Sequence, residues 1–464
     1  MKKYSFLVIT GLWWLASACE PQIDAPAPSS GELDLSRYVA VGNSLTAGYA
    51  NSGLYREGQL VSYPNLLAQQ FAQVGGGTFE QPLFDEAQRN GSGYLTLTGF
   101  ASTGAPLLTP VAEERAIIGI AKNGVSPLLM PYQAQSGTTV QNLGVPGLRV
   151  DKVTATNYGA DVGQPSTDFN PFFERLGPGS ASYTTYVGRS APSFCTVWLG
   201  NNDVLGYASS GGVGASITPV GTFRSNLQGV LDALMQQDSV RGAIANLPSV
   251  TAAPYFTTYA YNLLTLTAEQ AQQAQQGYAD YNAGVRQYNA SVPAERALDT
   301  IAFQAGPNPL VIFDASIPAQ LGQRRQIKPG ELVLLTLPTD SLAAGWGTAK
   351  PVPNQYILTR PELEAVRVAT DQFNAIISEL ATDYNLALVN MNQLLNQVRT
   401  GLSFDGVTVN AGFISGGVFS LDGVHLTPRG NALTANQFIR AINEKYGTAI
   451  PLVNAVDYEG VRLP

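Results

Sequence analysis

Short apolar segments alternate with longer amphipathic segments along most of the chain. Five apolar segments predict strands, at residues 38–42, 138–143, 194–199, 242–247 and 386–391. Four segments with apolar residues at helical spacing predict helices, at residues 63–71, 223–235, 361–384 and 429–446. Because a repeated order of strand, helix and strand is typical of parallel sheets, the pattern predicts an α/β fold with a central, mostly parallel sheet.

Two long stretches interrupt this rhythm, and we expect them to be insertions. Residues 75–135 are rich in Gly, Pro and Thr, with apolar runs only at 94–98 and 116–121. Residues 248–360 contain a predicted helix at 267–289, apolar runs at 310–313 and 331–337, and an aromatic cluster of Tyr255, Phe256, Tyr259 and Tyr261. Such a cluster could line an acyl or sugar pocket, although aromatic side chains more often belong to the core.

The first predicted strand runs directly into Gly42-Asn43-Ser44 and then into a segment that can begin a helix. A serine at a turn of this kind lies at the carboxyl edge of the sheet, and its backbone N–H is free because first-turn amides have no helical partner. Ser44 is therefore a candidate nucleophile. The alternative is that Ser44 is only a helix N-cap, a position that serine favours.

The chain contains a single histidine, His425, in the segment Asp422-Gly423-Val424-His425. A serine hydroxyl is a weak nucleophile and needs a base that titrates near neutral pH, which is the ordinary behaviour of imidazole. Asp422, three residues earlier, could accept a hydrogen bond from Nδ1–H and orient Nε2 toward the serine. The alternative is a histidine in a polar surface loop, and the combination with Ser44 favours the catalytic interpretation.

Four short motifs in this order make the chain resemble an SGNH (GDSL-type) serine hydrolase. They are Gly42-Asn43-Ser44-Leu45, the block from Asn142 to Gly147, Gly200-Asn201-Asn202-Asp203, and Asp422-x-x-His425. The resemblance implies a flavodoxin-like, three-layer α/β/α fold and an ester-cleaving Ser-His-Asp triad. It also implies an oxyanion hole formed by Ser44, Gly147 and Asn202. The chain departs from the family at Asn43, where Asp is usual, so the acceptor oxygen is kept and the charge is lost.

The length of 464 residues would by itself suggest about three domains. We nevertheless predict one hydrolase domain over residues 36–464, with insertions at about 75–135 and 248–360, because the candidate catalytic residues lie near both ends and must meet in space.

The N-terminus predicts an export signal followed by a lipid anchor. Two lysines precede an apolar run from Tyr4 to Leu15, which is too short to span a membrane, and small residues then lead to Cys19. This resembles a bacterial lipobox, with residues 1–18 as signal peptide, lipidation of Cys19, and residues 19–35 as a flexible tether. The predicted location is the bacterial cell envelope, with the outer membrane expected. The alternative is an ordinary signal peptide with a chance cysteine.

Charge and composition restrict the partners that we expect. Removal of residues 1–18 takes away two lysines and no acidic residue, so the formal net charge changes from -8 to -10. No basic patch indicates nucleic-acid binding, and neither a phosphate-binding loop nor an H-E-x-x-H zinc motif is present. We therefore expect no cofactor and no metal. Cys195 is the only cysteine after Cys19, so the folded domain should contain no internal disulfide.

These observations predict a secreted, lipid-anchored serine hydrolase that cleaves carboxylic esters. The alternative is a glycan-binding surface lipoprotein on a degenerate hydrolase fold, and retention of the whole Ser, Gly, Asn and His set argues against it. A lipase of the α/β-hydrolase type is disfavoured because no G-x-S-x-G motif occurs. The sequence leaves open whether the ester is a lipid or a carbohydrate, its acyl length, the membrane face and the oligomeric state.

Overall fold

A five-stranded parallel sheet forms the centre of the computed structural model, which describes residues 27–102, 104–134, 139–162 and 168–464. Its strands are β1 (Tyr38–Gly42), β2 (Asn142–Gly144), β3 (Phe194–Trp198), β4 (Arg241–Ala245) and β5 (Ala387–Val389). Their spatial order is β2-β1-β3-β4-β5, and every neighbouring pair is parallel. This is the flavodoxin-like doubly wound order, so the predicted α/β fold is confirmed.

Every residue of β1 and β3 is buried, which explains why both strands are continuous apolar runs rather than alternating ones. The register pairs Gly42 at the end of β1 with both Trp198 of β3 and Gly144 of β2. The three strands therefore end at the same level. The turns that follow them, which contain the first three motifs, are neighbours at one edge of the sheet.

Helices cover both faces of the sheet. The main ones are α1 (Ser44–Ala47), α2 (Tyr63–Ala72), α3 (Asn201–Ala208), α4 (Val220–Leu234), α5 (Arg360–Asp383), α6 (Met391–Thr400) and α7 (Pro428–Tyr446). On one face, α2 and α7 pack through Tyr63 and Phe438, whose rings stack at 4.9 Å. On the other face, α4 and α5 pack through Phe223 and Phe373, whose rings stack at 3.9 Å. The result is the expected three-layer arrangement.

The two predicted insertions contain short antiparallel hairpins. In the first, Tyr94–Phe100 pairs with Pro106–Val111, and Ile117–Ile120 pairs with Pro127–Leu129. In the second, the pairs are Leu264–Leu266 with Gly306–Asn308, Val311–Phe313 with Arg324–Gln326, and Leu332–Val333 with Ile357–Leu358. A further hairpin joins Leu402–Phe404 to Val407–Val409. Shorter helices are Arg56–Leu60, Pro171–Glu174, Tyr183–Gly188, Pro254–Thr257 and Asp340–Ala343.

The predicted secondary structure differs from the structure in several places. The strand expected at 138–143 is limited to Asn142–Gly144, and the strand expected at 242–247 is Arg241–Ala245. The helix expected at 267–289 is two helices, Ala268–Gly277 and Ala279–Asn289, which meet at Tyr278. Gly277 weakens the first helix at its end, and Tyr278 is held there because its hydroxyl donates a 2.5 Å hydrogen bond to the carbonyl of Thr348. The strand expected to reach residue 391 ends at Val389, because Asn390 caps α6 by accepting a hydrogen bond from the Gln393 N–H.

The aromatic cluster belongs to the core more than to a surface. Phe256 is fully buried, and the partly buried Tyr255 donates from its hydroxyl to the carbonyl of Ser209 at 3.0 Å. Tyr259 and Tyr261 pack against a separate apolar cluster of the second insertion that includes Leu264. Within the described part of the chain, no helix combines the length and the apolar character needed to cross a membrane.

Candidate active site

Ser44 is the first residue of α1 and follows β1 after a single intervening residue, Asn43. The helix N-cap is Asn43, whose Oδ1 accepts a 3.1 Å hydrogen bond from the Leu45 N–H. The interpretation of Ser44 as the cap is therefore wrong, and its hydroxyl is available for another partner. The acceptor oxygen that Asn43 keeps is used in this cap, while its buried Nδ2 has no hydrogen-bond partner among the described residues.

The hydroxyl of Ser44 meets the imidazole of His425. Ser44 Oγ lies 2.8 Å from His425 Nε2, and His425 Nδ1 lies 3.0 Å from Asp422 Oδ2. His425 lies on the loop just before α7, whose N-cap Thr427 accepts from the Gly430 N–H at 3.1 Å. An imidazole that is hydrogen-bonded to a carboxylate on one side and to a hydroxyl on the other can take the hydroxyl proton while the hydroxyl oxygen attacks a carbon atom.

The carboxylate of Asp422 accepts four hydrogen bonds. Oδ1 accepts from the backbone N–H groups of Val424 and His425 at 2.9 and 2.8 Å, and Oδ2 accepts from the Ser52 N–H at 2.9 Å and faces His425 Nδ1. Burial alone would raise the pKa of Asp422, but His425 and these N–H donors outweigh it and hold the pKa well below its ordinary range. Asp422 therefore stays ionised beside the imidazole.

Tyr49, just after α1, covers one side of the imidazole. Its ring centroid lies 4.7 Å from that of His425, at an interplanar angle of 49°. Burial and the nearby charge of Asp422 raise the pKa of Tyr49 to about 12, so its hydroxyl stays neutral. The ring limits the access of water to His425 from this side.

The second and third motifs are tied to each other. The side-chain amide of Asn202, in the first turn of α3, donates from Nδ2 to the carbonyl of Leu148 at 2.9 Å. Leu148 follows Gly147, which has a φ of 79° in the left-handed region that favours glycine. Asn170 Nδ2 supports the same turn by donating to the Pro146 carbonyl at 2.8 Å. An amide nitrogen carries two protons, so Asn202 retains one donor beyond its bond to Leu148.

Asp203 lies beneath these turns and joins them. Both of its carboxylate oxygens accept from the Val150 N–H at 3.0 Å, and Thr218 Oγ1 donates to Oδ1 at 2.6 Å. Burial raises the pKa of Asp203 to about 6, against the opposing effect of these hydrogen bonds. The residue holds the segment after Gly147 against the start of α3.

The structure adds two positioning residues that the sequence did not single out. Asn51 and Ser52 both have positive φ values, 52° and 63°. Asn51 Oδ1 accepts from the Leu421 N–H at 3.0 Å, and the Asn51 N–H donates to Ser420 Oγ at 3.0 Å. The pair Asn51-Ser52 is a typical turn signal, yet nothing in the sequence links it to a loop some 370 positions further on.

The remaining predicted features concern the N-terminus and metals. Cys19 and the signal segment lie outside the described residues. Among the described residues, no group of three or more His, Cys, Asp or Glu side chains is arranged to hold a metal ion. Cys195 is a buried free thiol in β3.

A parallel sheet of flavodoxin-like order, with a serine, a histidine and a carboxylate joined by hydrogen bonds at its carboxyl edge, defines the SGNH class of hydrolases, which differs from lipases of the α/β-hydrolase type. The chain belongs to the GDSL-like Lipase/Acylhydrolase family, whose model matches residues 38–296, more than half of its length. The matched range contains Ser44, Gly147 and Asn202. Comparison with curated proteins and with solved structures gave no match. Membership confirms the resemblance and places the protein in a family of lipases and acylhydrolases, which supports hydrolase activity in general.

Proposed function

We propose that the protein is a lipid-anchored serine hydrolase that cleaves carboxylic esters through Ser44, His425 and Asp422. The observation that carries this proposal is the 2.8 Å contact between Ser44 Oγ and His425 Nε2, continued by the 3.0 Å contact between His425 Nδ1 and Asp422 Oδ2. Family membership supports the reaction class, and these contacts support the roles of the three residues.

In the first half of the reaction, Ser44 Oγ attacks the ester carbonyl carbon while its proton passes to His425 Nε2. The carbonyl oxygen becomes negatively charged, and the Ser44 N–H, the Gly147 N–H and the free donor of Asn202 would stabilise it. The bond to the alcohol oxygen then breaks, and His425 returns the proton to the departing alcohol. The products are the free alcohol and an acyl ester of Ser44.

In the second half, water attacks the acyl group and His425 takes a proton from the water. The tetrahedral intermediate then collapses, so that the carbonyl re-forms, the bond to Ser44 Oγ breaks, and the proton on His425 returns to the serine. The products of this half are the free carboxylic acid and the restored enzyme. Asp422 stabilises the imidazolium that forms in each half and keeps Nε2 directed at Ser44.

The proposed location rests on the sequence of the first 35 residues. A basic start, a short apolar run and small residues before Cys19 support export followed by lipidation, and residues 20–28 would act as a tether. This tether is shorter than the expected segment 19–35, because Ser29 pairs with Ala449 and both Leu33 and Leu35 are buried in the main core. The hydrolase would then work at the surface of a bacterial membrane, with the outer membrane as the expected one.

Covalent labelling tests the proposed nucleophile. A fluorophosphonate probe should label the wild-type protein once, label the Ser403→Ala variant equally, and leave the Ser44→Ala variant unlabelled. Ser403 is a suitable control because it is an exposed serine on a hairpin. Labelling of Ser44→Ala at the wild-type level would overturn the assignment.

A further inference from the structure

A cavity of about 90 Å³ lies beside Ser44 and His425. It is bounded by the turns after β1 and β3, by α6, by the first turns of α7 and by the loop from Pro248 to Ala253. Ten of its 23 wall residues belong to the main buried core, among them Trp198, Met391 and Val398. The cavity therefore extends from the candidate catalytic residues into the protein.

Most polar wall residues of the cavity cluster near Ser44 and His425, and Ser249 and Thr434 are the polar residues elsewhere in the wall. The polar residues next to Ser44 and His425 are Asn43, Asn201 and Asn202, which lie on the turns after β1 and β3. Two buried N–H donors of wall residues, Asn43 Nδ2 and Trp198 Nε1, and the acceptor Asn201 Oδ1 have no hydrogen-bond partner among the described residues. Unpartnered buried polar atoms are costly, so they favour a polar occupant at this end.

The opposite walls are mostly hydrocarbon. Helix α6 contributes Met391, Leu394, Leu395 and Val398, which recur at helical spacing on one side of the helix, and α7 contributes Leu433. Val418, Phe419 and Leu426 complete these walls from the loop on either side of Asp422. A molecule that fits must have a polar head at the serine and an aliphatic tail.

We propose that this cavity is the acyl pocket of the enzyme and that it selects short aliphatic acyl groups of roughly four carbons. An apolar cavity of about 150 Å³ holds benzene, which has six carbons, so in proportion 90 Å³ accommodates roughly four. The inference rests on the proposed ester hydrolysis and specifies its substrate class.

The acyl side of the ester suits this cavity better than the alcohol side. After the first half of the reaction the acyl group remains bonded to Ser44, whereas the alcohol must leave before water enters. The walls formed by Met391, Val398 and Leu433 are buried, so an alcohol released among them would be trapped. An acyl chain bonded to the serine is held there only until water frees it as a carboxylate.

The test is a series of p-nitrophenyl esters with acyl chains of 2, 4, 6, 8 and 12 carbons, each rate divided by that of uncatalysed hydrolysis. Burial of one methylene is worth about fourfold in kcat/KM, so the butanoate should exceed the acetate by about fifteenfold. The dodecanoate should fall below the butanoate. A parallel series of acetates with alcohols of increasing length should show no such preference.

Two substitutions at Leu394 test the position of the pocket. Leu394→Trp fills the cavity and should return the preference to the acetate, whereas Leu394→Ala enlarges it and should move the optimum to six or eight carbons. Leu452→Trp is the matched control, because Leu452 is 47% exposed and is not one of the described residues that line the cavity. It should keep the wild-type profile, and thermal melts establish that each variant is folded.

The outcomes separate the pocket from the function. Equal rates for all acyl lengths, or an unchanged profile in both folded Leu394 variants, would overturn the acyl pocket while leaving ester hydrolysis intact. A chain-length preference only in the alcohol series would assign the cavity to the alcohol and overturn the acyl assignment. Failure to hydrolyse any ester, together with no fluorophosphonate labelling, would overturn the proposed function and the pocket with it.

Discussion

The backbone N–H of Ser52 donates a 2.9 Å hydrogen bond to Asp422 Oδ2, the same oxygen that faces His425 Nδ1. The turn that makes this bond follows the candidate nucleophile by only eight positions, since Ser44 begins α1. The segment that carries the serine therefore helps to orient the carboxylate, together with the N–H groups of Val424 and His425. Asn51 completes this link through its hydrogen bonds to Ser420 and Leu421.

We expect Asn51→Ala to lower kcat by about 10- to 100-fold, because small displacements of a catalytic group have effects of this size. The substitution removes the acceptor of the Leu421 N–H and disfavours the positive φ of this position. Asn51→Gly removes the strain of the positive φ without restoring the side chain. A comparable loss of kcat in both variants would therefore show that the hydrogen bond from the Leu421 N–H to Asn51 matters. Asn157, an exposed residue with a φ of 63°, gives the control Asn157→Ala, which should alter stability and leave kcat unchanged.

Ser44→Ala and His425→Ala should each lower kcat by a factor on the order of 10⁶, and the double variant should be little worse than either, because the two residues act as a unit. Steady-state hydrolysis of a p-nitrophenyl ester measures all three. Substantial activity in His425→Ala would contradict the mechanism, since the chain contains no other histidine.

Removal of the Asn202 side chain should affect the transition state more than substrate binding. Asn202→Ala should lower kcat by about 10² to 10³ with little change in KM, because one oxyanion donor is worth about 2.7 to 4 kcal/mol. Asn202→Asp should be at least as damaging, since a carboxylate would face the oxyanion.

Asn202 also stabilises the turn after Gly147 through its hydrogen bond to the Leu148 carbonyl, so a stability control is needed. Asn226 Nδ2 donates to the Val150 carbonyl at 2.9 Å, two residues further along the same segment. Asn226→Ala removes a comparable hydrogen bond and should lower the melting temperature without the loss of kcat. A destabilised Asn202→Ala enzyme with near-normal kcat would assign Asn202 a structural role only.

Asp203 should make stability depend on pH in the acidic range. Its pKa is raised by burial from 3.8 to about 6, so the folded state binds the proton more tightly than the unfolded state. The contribution of Asp203 to the free energy of unfolding is therefore fully present below pH 4. It decreases by about 3 kcal/mol as the pH rises to about 6. Thermal melts between pH 3.5 and 7.5 should show this slope in the wild type and in the control Asp238→Asn, and a flatter profile in Asp203→Asn.

Membrane fractionation tests the proposed anchor. In the full chain expressed in a bacterium, Cys19→Ala should leave the membrane fraction because the residue proposed to carry the lipid is gone. Cys195→Ala is the control, since Cys195 is the other cysteine and is buried in β3. Sedimentation of Cys19→Ala with the membrane at the wild-type level would contradict the lipid anchor.

The strands β1 and β3 at the centre of the sheet were predictable because they are buried on both faces. Residues 194–199 form a continuous apolar run, and the observed strand Phe194–Trp198 lies within it. The motifs at the ends of such strands must meet, because parallel strands of matched register end at one edge. The proximity of Ser44 to the turn containing Asn202 therefore follows from periodicity, whereas the contact between Ser44 and His425 was expected from the chemistry of the two residues.

Other parts of the site depend on tertiary contacts that no local pattern records. Helix α6 escaped prediction although Met391, Leu394 and Val398 have helical spacing, because the preceding apolar residues suggested that the strand continued. The Asn51-Ser52 turn has ordinary turn residues, and only the folded structure brings it to Asp422. The break at Tyr278 likewise depends on a bond to Thr348, a residue 70 positions away.

Ser44 and His425 are separated by 381 positions in the chain, and α7, which follows His425, is docked on α2 through the bond from the Tyr63 N–H to Asn431 Oδ1. During synthesis the serine emerges early and its base emerges almost last. A ribosome-bound chain that already displays the β1 turn therefore has no group to activate the serine. Under the proposed mechanism, hydrolysis therefore begins only after His425 has been made and α7 has folded against the sheet.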